Sequence, residues 1–218
     1  MKRHLIIGAS GGIGHAIADA LDGDVIRLSR SADGLDITNE DSIARILGGL
    51  DGTFDTIFVA TGALTAGGHE PEKTIKSLTP EAMLAQFQVN AAGPALVLKH
   101  ALPLIPRDRR CVFAALSARV GSIGDNQIGG WHSYRAAKSA LNQLIHGAAI
   151  ELARTHKQAI CVTLHPGTVA TPFTAKYAGR HATVPASEAA ANLVRVMDGL
   201  TQPQSGGFFD YIGAEIPW

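Results

Sequence analysis

One stretch decides how this chain folds: Leu5-Ile6-Ile7-Gly8-Ala9-Ser10-Gly11-Gly12-Ile13-Gly14. Its three leading apolar residues predict a short buried strand, and the apolar spacing from residue 13 to residue 21 predicts a helix. Gly8, Gly12 and Gly14 lack side chains where the backbone turns between the two elements, and the N–H groups at the start of a helix attract anions. The stretch therefore predicts a dinucleotide-binding unit whose residues Gly8 to Gly14 hold a pyrophosphate.

Short apolar runs and helical patterns alternate along the rest of the chain. The further predicted strands are residues 25–28, 56–60, 111–116, 159–164 and 207–211. The further predicted helices are residues 42–50, 79–104 with a bend near Pro94, 133–155 and 187–200. This alternation predicts an α/β fold: a single domain over residues 1–218 with a Rossmann-type, doubly wound parallel sheet and helices on both faces.

The composition excludes several classes of protein. The 218 residues are 46% hydrophobic and 17% charged, which suits a large buried core, and the formal net charge of zero argues against nucleic-acid and membrane partners. No apolar stretch approaches the roughly 18 residues that span a bilayer. Cys111 and Cys161 lie in apolar runs and are interpreted as buried thiols, no metal-ligand spacing is visible, and we expect a reducing, cytoplasmic location.

A second pattern overlaps the glycine turn. Gly8-Ala9-Ser10-Gly11-Gly12 also reads G-x-S-x-G, the nucleophile elbow of α/β-hydrolases, with Ser10 as the nucleophile. That elbow normally follows several strands, whereas Ser10 follows the first. A serine hydrolase remains an alternative at this point.

The residues after the second predicted strand bear on the choice of cofactor. NAD sites usually place an acid here for the ribose 2′-OH, but this chain continues Leu28-Ser29-Arg30-Ser31. The Arg30 guanidinium, together with Ser29, suits a 2′-phosphate, so NADP(H) is favoured over NAD(H). Asp36 is a candidate contact for the adenine.

Tyr134 and Lys138 stand at i and i+4 at the start of a predicted helix, one turn apart on the same face. Carbonyl reduction needs a proton donor at the oxygen while hydride reaches the carbon. Lowering a phenol pKa from about 10 to about 7 requires roughly 4 kcal/mol. A cation about 4 Å away supplies energy of that order at an effective dielectric near 20. We therefore expect Lys138 to lower the pKa of Tyr134.

In combination these motifs resemble the short-chain dehydrogenases/reductases, in particular their C-factor-like and small carbonyl-reductase-like branch, over nearly the whole chain. The matching segments are residues 8–14, Asp36-Ile37-Thr38, Asn90, Tyr134 with Lys138, His165-Pro166-Gly167-Thr168, and the residues from Gly207-Phe208-Phe209 to Pro217-Trp218. The resemblance implies that Tyr134 donates the proton and that Lys138 also holds the nicotinamide ribose. It further implies that Asn90 steadies a relay water and that the segment Pro166-Gly167-Thr168-Val169-Ala170-Thr171 positions the nicotinamide amide, with Thr171 as a side-chain contact.

The chain departs from the family pattern in two places. Where members usually have Asn-Asn-Ala-Gly, this chain reads Val59-Ala60-Thr61-Gly62, and only Gly62 is retained. The family's substrate-orienting serine aligns with Ala118, so we expect the preceding residue, Ser117, to fill that role, although a shift of one residue reverses which face a side chain meets.

We expect an NADP(H)-dependent oxidoreductase acting on a carbonyl or alcohol substrate. The alternatives to this function are a non-catalytic dinucleotide-binding sensor or signalling protein and the serine hydrolase that uses Ser10. In this family the segment from Pro172 to Pro185 covers the substrate, and the candidate pocket walls are Trp131, His132 and Phe173. Many members pair through two long helices, here 79–104 and 133–155, into homodimers or homotetramers, whereas some small carbonyl reductases are monomers.

Overall fold

A parallel sheet forms the centre of the molecule. The computed structural model describes residues 1–171 and 182–218. Its strands are β1 (Arg3–Ile7), β2 (Asp24–Leu28), β3 (Thr56–Val59), β4 (Cys111–Leu116), β5 (Ala159–His165) and β6 (Phe208–Asp210). They pair in the order β2-β1-β3-β4-β5-β6, and every pairing is parallel. The predicted doubly wound parallel sheet is confirmed.

Helices connect the strands. They are α1 (Gly12–Ala20), α2 (Arg30–Asp33), α3 (Glu40–Gly48), α4 (Pro80–Phe87), α5 (Gly93–Ala101), α6 (His132–Leu152) and α7 (Ala186–Gly199). The predicted bend near Pro94 is a π-helical turn over Gln88–Ala92 that joins α4 to α5. Thr79 caps α4, because its hydroxyl accepts the Ala82 N–H, and Pro80 opens that helix. The one-turn helix α2 was not predicted.

The helices cover both faces of the sheet. One core contains Val97 of α5 and Leu141 of α6, and the other contains Ile17 of α1 and Leu193 of α7; all four are buried. The strands of such a sheet are apolar on both sides, as β4 is. β2 lies on one side of β1 and β3 lies on the other, so the connections on the two sides of β1 diverge. A crevice opens between them at the carboxyl ends of the strands.

The described residues bear on three expectations, which concern the two cysteines, metal binding and membrane-spanning helices. Cys111 and Cys161 are buried free thiols, as predicted. Among residues 1–171 and 182–218, no group of His, Cys, Asp or Glu side chains could hold a metal ion. In the same part of the chain, no helix combines the length and the apolar character that crossing a membrane requires.

Candidate active site

A cleft of about 340 Å³ opens at the carboxyl ends of the central strands. A larger hollow of about 800 Å³, lined among others by Thr53 and Arg109, lies at the opposite end of the sheet and contains no predicted site residue. The cleft is lined by Ser10, Gly11, Gly12, Ile13, Ala60, Thr61, Gly62, Leu116, Ser117, Ala118, Tyr134, Lys138, His165, Pro166, Gly167, Val169 and Thr171. Among the predicted site residues, Gly8, Gly14, Ser29, Arg30, Asp36 and Asn90 are not part of this lining.

The glycine turn joins β1 to α1 at one end of the cleft. Gly8 has φ of 89°, and a Cβ on Gly14 would lie 2.3 Å from the Gly8 carbonyl oxygen, so Gly14 must lack a side chain for the turn to close. Gly11 caps α1 without a side-chain hydrogen bond. The start of this helix therefore presents backbone N–H groups to the cleft, an arrangement that suits a phosphate.

From the sequence we expected no carboxylate at the end of β2, but the structure has one there. Ser29 caps α2, and the turn brings Asp33 back so that its Oδ2 accepts the Ser29 N–H at 2.7 Å. Arg30 is exposed, and Asp36 accepts both the N–H and the hydroxyl of Thr38, which hold its pKa below the ordinary value. The acid was missed because it lies five residues beyond the strand end, and only the helical turn returns it.

Tyr134 and Lys138 lie together on the first turns of α6, and both are buried. The Lys138 Nζ lies 5.9 Å from the centroid of the Tyr134 ring and donates a 2.9 Å hydrogen bond to the Leu116 carbonyl at the end of β4. Because that carbonyl fixes the ammonium, Lys138 points into the cleft and not into bulk solvent.

The expected lowering of the Tyr134 pKa is not found in the chain itself. Burial raises the pKa of Tyr134 well above its ordinary value, and burial lowers the pKa of Lys138 to about 7. Desolvation disfavours the charged form of each group and exceeds the attraction on which the expectation rested. Tyr134 is therefore fully protonated at neutral pH, the state required of a proton donor.

The Ser117 side chain forms a hydrogen bond to a neighbouring helix. Its hydroxyl donates a 2.7 Å hydrogen bond to Oδ1 of Asn142 on α6, and both side chains are buried. Ser117 also lines the cleft. Ala118 follows it with extended backbone and also lines the cleft. The substrate-orienting role of Ser117 stays a prediction, and Asn142 is the hydrogen-bond partner that the structure shows for its hydroxyl.

Asn90 lies on the π-helical turn and is fully buried. Its Oδ1 accepts the Ala63 N–H at 3.0 Å, and its Nδ2 donates to the Ala63 carbonyl at 2.8 Å and to Gln86 at 2.6 Å. A Cβ on Gly62 would lie 3.0 Å from Asn90 Oδ1 and 3.4 Å from Lys138 Nζ. Asn90 thus holds the loop after β3 against the Tyr134–Lys138 pair.

The segment after β5 closes the cleft opposite the glycine turn. Gly167 has φ of 79°, and Val169 pairs with Val184 as an isolated bridge. A Cβ on Gly12 would lie 2.9 Å from Cγ2 of Thr171, so the two ends of the cleft meet at these residues. The structure brings the predicted segment from Pro166 to Thr171 to the glycine turn.

Two cleft residues that the sequence did not single out for their side chains carry unsatisfied polar atoms. Thr61 Oγ1 and His165 Nδ1 are buried and lack a hydrogen-bond partner among the described residues. Burial lowers the pKa of His165 to about 4, so its imidazole is neutral. Together with the uncapped start of α1 and the side-chain-free glycine turn, these atoms fit a polar ligand such as a dinucleotide.

Most of the predicted substrate-covering segment, residues 172–181 with Phe173, lies outside the described residues. Trp131 and His132 are described, and they lie three and two residues before Tyr134. The Trp131 ring stands edge-on to the Tyr134 ring, with centroids 6.1 Å apart.

Sequence comparisons give three results. A family model described as enoyl-(acyl carrier protein) reductase matches residues 25–201. The C-signal protein of Myxococcus xanthus is 37% identical over 136 residues, which cover 62% of this chain and 78% of that protein. A 1-hydroxy-2-glutathionyl-2-methyl-3-butene dehydrogenase of a Rhodococcus species is 29% identical over 236 residues, covering 100% of both chains.

Solved structures with the same fold include the carbonyl reductase Sniffer of D. melanogaster, with a TM-score of 0.83, 24% identity and 100% of both chains covered. At this identity the likeness establishes the fold. A protein of Burkholderia multivorans, assigned to the short-chain dehydrogenases/reductases and solved with bound NADP, gives a TM-score of 0.81 at 26% identity. The comparison covers 100% of this chain and 99% of that one.

Proposed function

Because this chain belongs to the short-chain dehydrogenase/reductase family and is an oxidoreductase of that family, we propose that it is an NADPH-dependent reductase of small carbonyl compounds, with Tyr134 as the proton donor. The observation that carries the proposal is the burial of Tyr134 and Lys138 in one cleft with the glycine turn. A serine hydrolase using Ser10 is set aside, because the same glycines open a dinucleotide site in this family.

The proposed reaction is the reduction of a carbonyl group to an alcohol. A bound reduced nicotinamide supplies the hydride. The Tyr134 hydroxyl donates its proton to the carbonyl oxygen, so that the carbon gains a hydride, the oxygen gains a proton and the phenol becomes a phenolate. A cation beside the phenolate stabilises it, and Lys138 is the residue of this chain placed to do so.

The remaining site residues are proposed to bind and orient. Gly11, Gly12 and the start of α1 hold the pyrophosphate, Thr61 offers its unsatisfied hydroxyl to the cofactor, and the segment from Pro166 to Thr171 flanks the nicotinamide. Asn90 fixes the loop that carries Gly62. Tyr134 and Lys138 thereby work in a cleft whose walls are set by buried hydrogen bonds.

The preference for NADPH over NADH rests on Arg30 and Ser29 at the end of β2. Arg30 is exposed and free to turn towards a 2′-phosphate, and a guanidinium suits a phosphate in shape and charge. Asp33 opposes this preference, because it places a carboxylate on the Ser29 N–H. We propose that Arg30 prevails and that NADPH is the preferred cofactor.

The experiment is a cofactor titration followed by a carbonyl panel. Purified protein should oxidise NADPH with aldehydes, ketones or quinones, and the KM for NADH should exceed that for NADPH. Tyr134→Phe should lower kcat by on the order of a hundredfold or more while NADPH still binds. Tyr211→Phe, which removes a hydroxyl from an exposed ring, is the matched control. Activity that survives Tyr134→Phe would overturn the assignment.

A further inference from the structure

The loop that leads into α6 has a rare backbone conformation. Gly129, Gly130 and Trp131 have φ of 70°, 66° and 52°, so three successive residues are left-handed. Among residues 1–171 and 182–218, Trp131 is the one non-glycine residue with positive φ. For a residue with a Cβ this conformation costs roughly 1–2 kcal/mol. Contacts from elsewhere in the fold must therefore hold it.

Glu72 makes those contacts. Its backbone carbonyl accepts the Trp131 N–H at 2.5 Å, and its carboxylate accepts the Ser133 N–H at 3.1 Å and also the Ser133 hydroxyl. Trp131, at the cap position of α6, makes no capping bond with its side chain. The helix is therefore capped by a residue 61 positions before Ser133 in the chain.

The carboxylate is buried and charged. Glu72 is 6% exposed. Burial opposes its ionisation, but the hydrogen bonds from Ser133 outweigh burial and hold the pKa of Glu72 below its ordinary value. An anion at a helix N-terminus is stabilised by the helix dipole as well as by these bonds. Glu72 is thus a fixed anchor at the start of α6.

Tyr134 is the residue directly after Ser133, so this anchor holds the turn that carries the phenol. The Trp131 ring stands edge-on to the Tyr134 ring, at 73° between the ring planes. On the other side of the loop, Arg135 Nε donates a 2.9 Å hydrogen bond to the Gly130 carbonyl. The left-handed backbone, the Trp131 ring and the Glu72 cap therefore all constrain the position of the Tyr134 side chain.

We propose that Glu72 is a positioning residue for Tyr134: it clamps the left-handed turn and the first turn of α6 so that the phenol meets the substrate oxygen. This rests on the proposed function only in taking Tyr134 as the proton donor. Proton transfer depends steeply on distance, and a displacement of about 1 Å can cost on the order of a hundredfold in rate.

The first test compares Glu72→Ala with Glu72→Gln. We expect Glu72→Ala to lower kcat by on the order of tenfold or more. The KM for NADPH should change little, because the glycine turn is untouched. Glu72→Gln should lose less, since one amide oxygen can still accept a bond from Ser133 while its NH2 group cannot. If Glu72→Ala does not fold, the loss of kcat in Glu72→Gln remains measurable.

Arg110→Met is the matched control for lost helix capping. The Arg110 guanidinium donates to the Met197 carbonyl at 2.6 Å and to the Leu200 carbonyl at 3.1 Å, at the carboxyl end of α7. Its removal should lower the melting temperature without lowering kcat. An equal loss of kcat in Arg110→Met and Glu72→Gln would reduce Glu72 to a general stabilising residue and overturn the proposal.

Amide hydrogen exchange gives a readout independent of activity. The Ser133 and Tyr134 amides should exchange faster in Glu72→Gln, whereas amides of the last turn of α6 should be unchanged. Unchanged exchange at the first turn, or unchanged kcat in both Glu72 variants, would contradict the clamp. If Tyr134→Phe proved active, the proposed function would fail, yet the exchange experiment would still decide whether Glu72 holds this turn.

Discussion

The Ser117 hydroxyl donates its proton to Oδ1 of Asn142 across a buried 2.7 Å hydrogen bond. This bond joins the residue that follows β4 to the middle of α6, and Ser117 also lines the cleft. The next residue along the chain, Ala118, lines the cleft without a polar group.

Ala118→Ser should add a hydroxyl donor to the cleft. Ala118 is half-buried with φ of −147° and ψ of 144°, a conformation that serine adopts readily. One added hydrogen bond worth about 1 kcal/mol would raise kcat/KM for carbonyl reduction roughly fivefold. Ser117→Ala should leave kcat nearly unchanged. A large loss of kcat in Ser117→Ala would instead support the predicted substrate-orienting role of Ser117, and steady-state kinetics of both variants decide the question.

Lys138→Met should stabilise the protein most at low pH. The pKa of Lys138 is lowered from 10.5 to about 7 in the folded chain, so between these values the unfolded chain binds the extra proton. Stability therefore rises with pH across this window, and burial of the charged lysine costs most below about pH 7. Melting temperatures of wild type and Lys138→Met should differ most near pH 6 and converge above pH 10. A difference that does not depend on pH would contradict the lowered pKa.

Asp33→Asn should strengthen the preference for NADPH. The Asp33 carboxylate occupies the Ser29 N–H beside the exposed Arg30, where it repels a 2′-phosphate. The asparagine oxygen can keep the bond to Ser29 while the charge is lost. A repulsion of about 1 kcal/mol corresponds to roughly a fivefold change in the ratio of the KM values for NADPH and NADH. An unchanged ratio would mean that the 2′-phosphate does not approach this turn.

Gly14→Ala should prevent the glycine turn from closing. A Cβ at this position would stand 2.3 Å from the Gly8 carbonyl oxygen and 2.9 Å from its carbon, both backbone atoms that cannot yield cheaply. We expect a loss of several kcal/mol, on the order of 3 or more, and weaker NADPH binding. Gly147→Ala on α6, where a Cβ meets no atom within 4 Å, is the control and should stabilise by up to about 1 kcal/mol. Thermal melts with and without NADPH measure both effects.

The parts of the site that the sequence predicted correctly are local in the chain. The glycine turn follows its strand directly, and Tyr134 and Lys138 are one helical turn apart, so helix geometry alone places them on one face. The alternation of apolar runs likewise predicted the parallel sheet, because burial on both faces leaves strands such as β4 wholly apolar.

The parts that were missed or reversed depend on partners distant in the chain or on burial. Ser117 meets Asn142 across 25 positions, and Glu72 meets Ser133 across 61. The expected low pKa of Tyr134 was overturned by desolvation, a quantity that exists only once the chain has packed around the phenol.

Residue order was sufficient to specify the doubly wound sheet, the glycine turn and the placement of Tyr134 and Lys138 on one helix face, because each follows from backbone periods and short-range spacing. Which partner the Ser117 hydroxyl meets, which carboxylate caps α6 and how strongly the buried groups hold their protons emerged from packing. Side-chain direction at a strand end and the local dielectric are set by neighbours that folding brings together, and their separation along the chain carries no sign of that proximity.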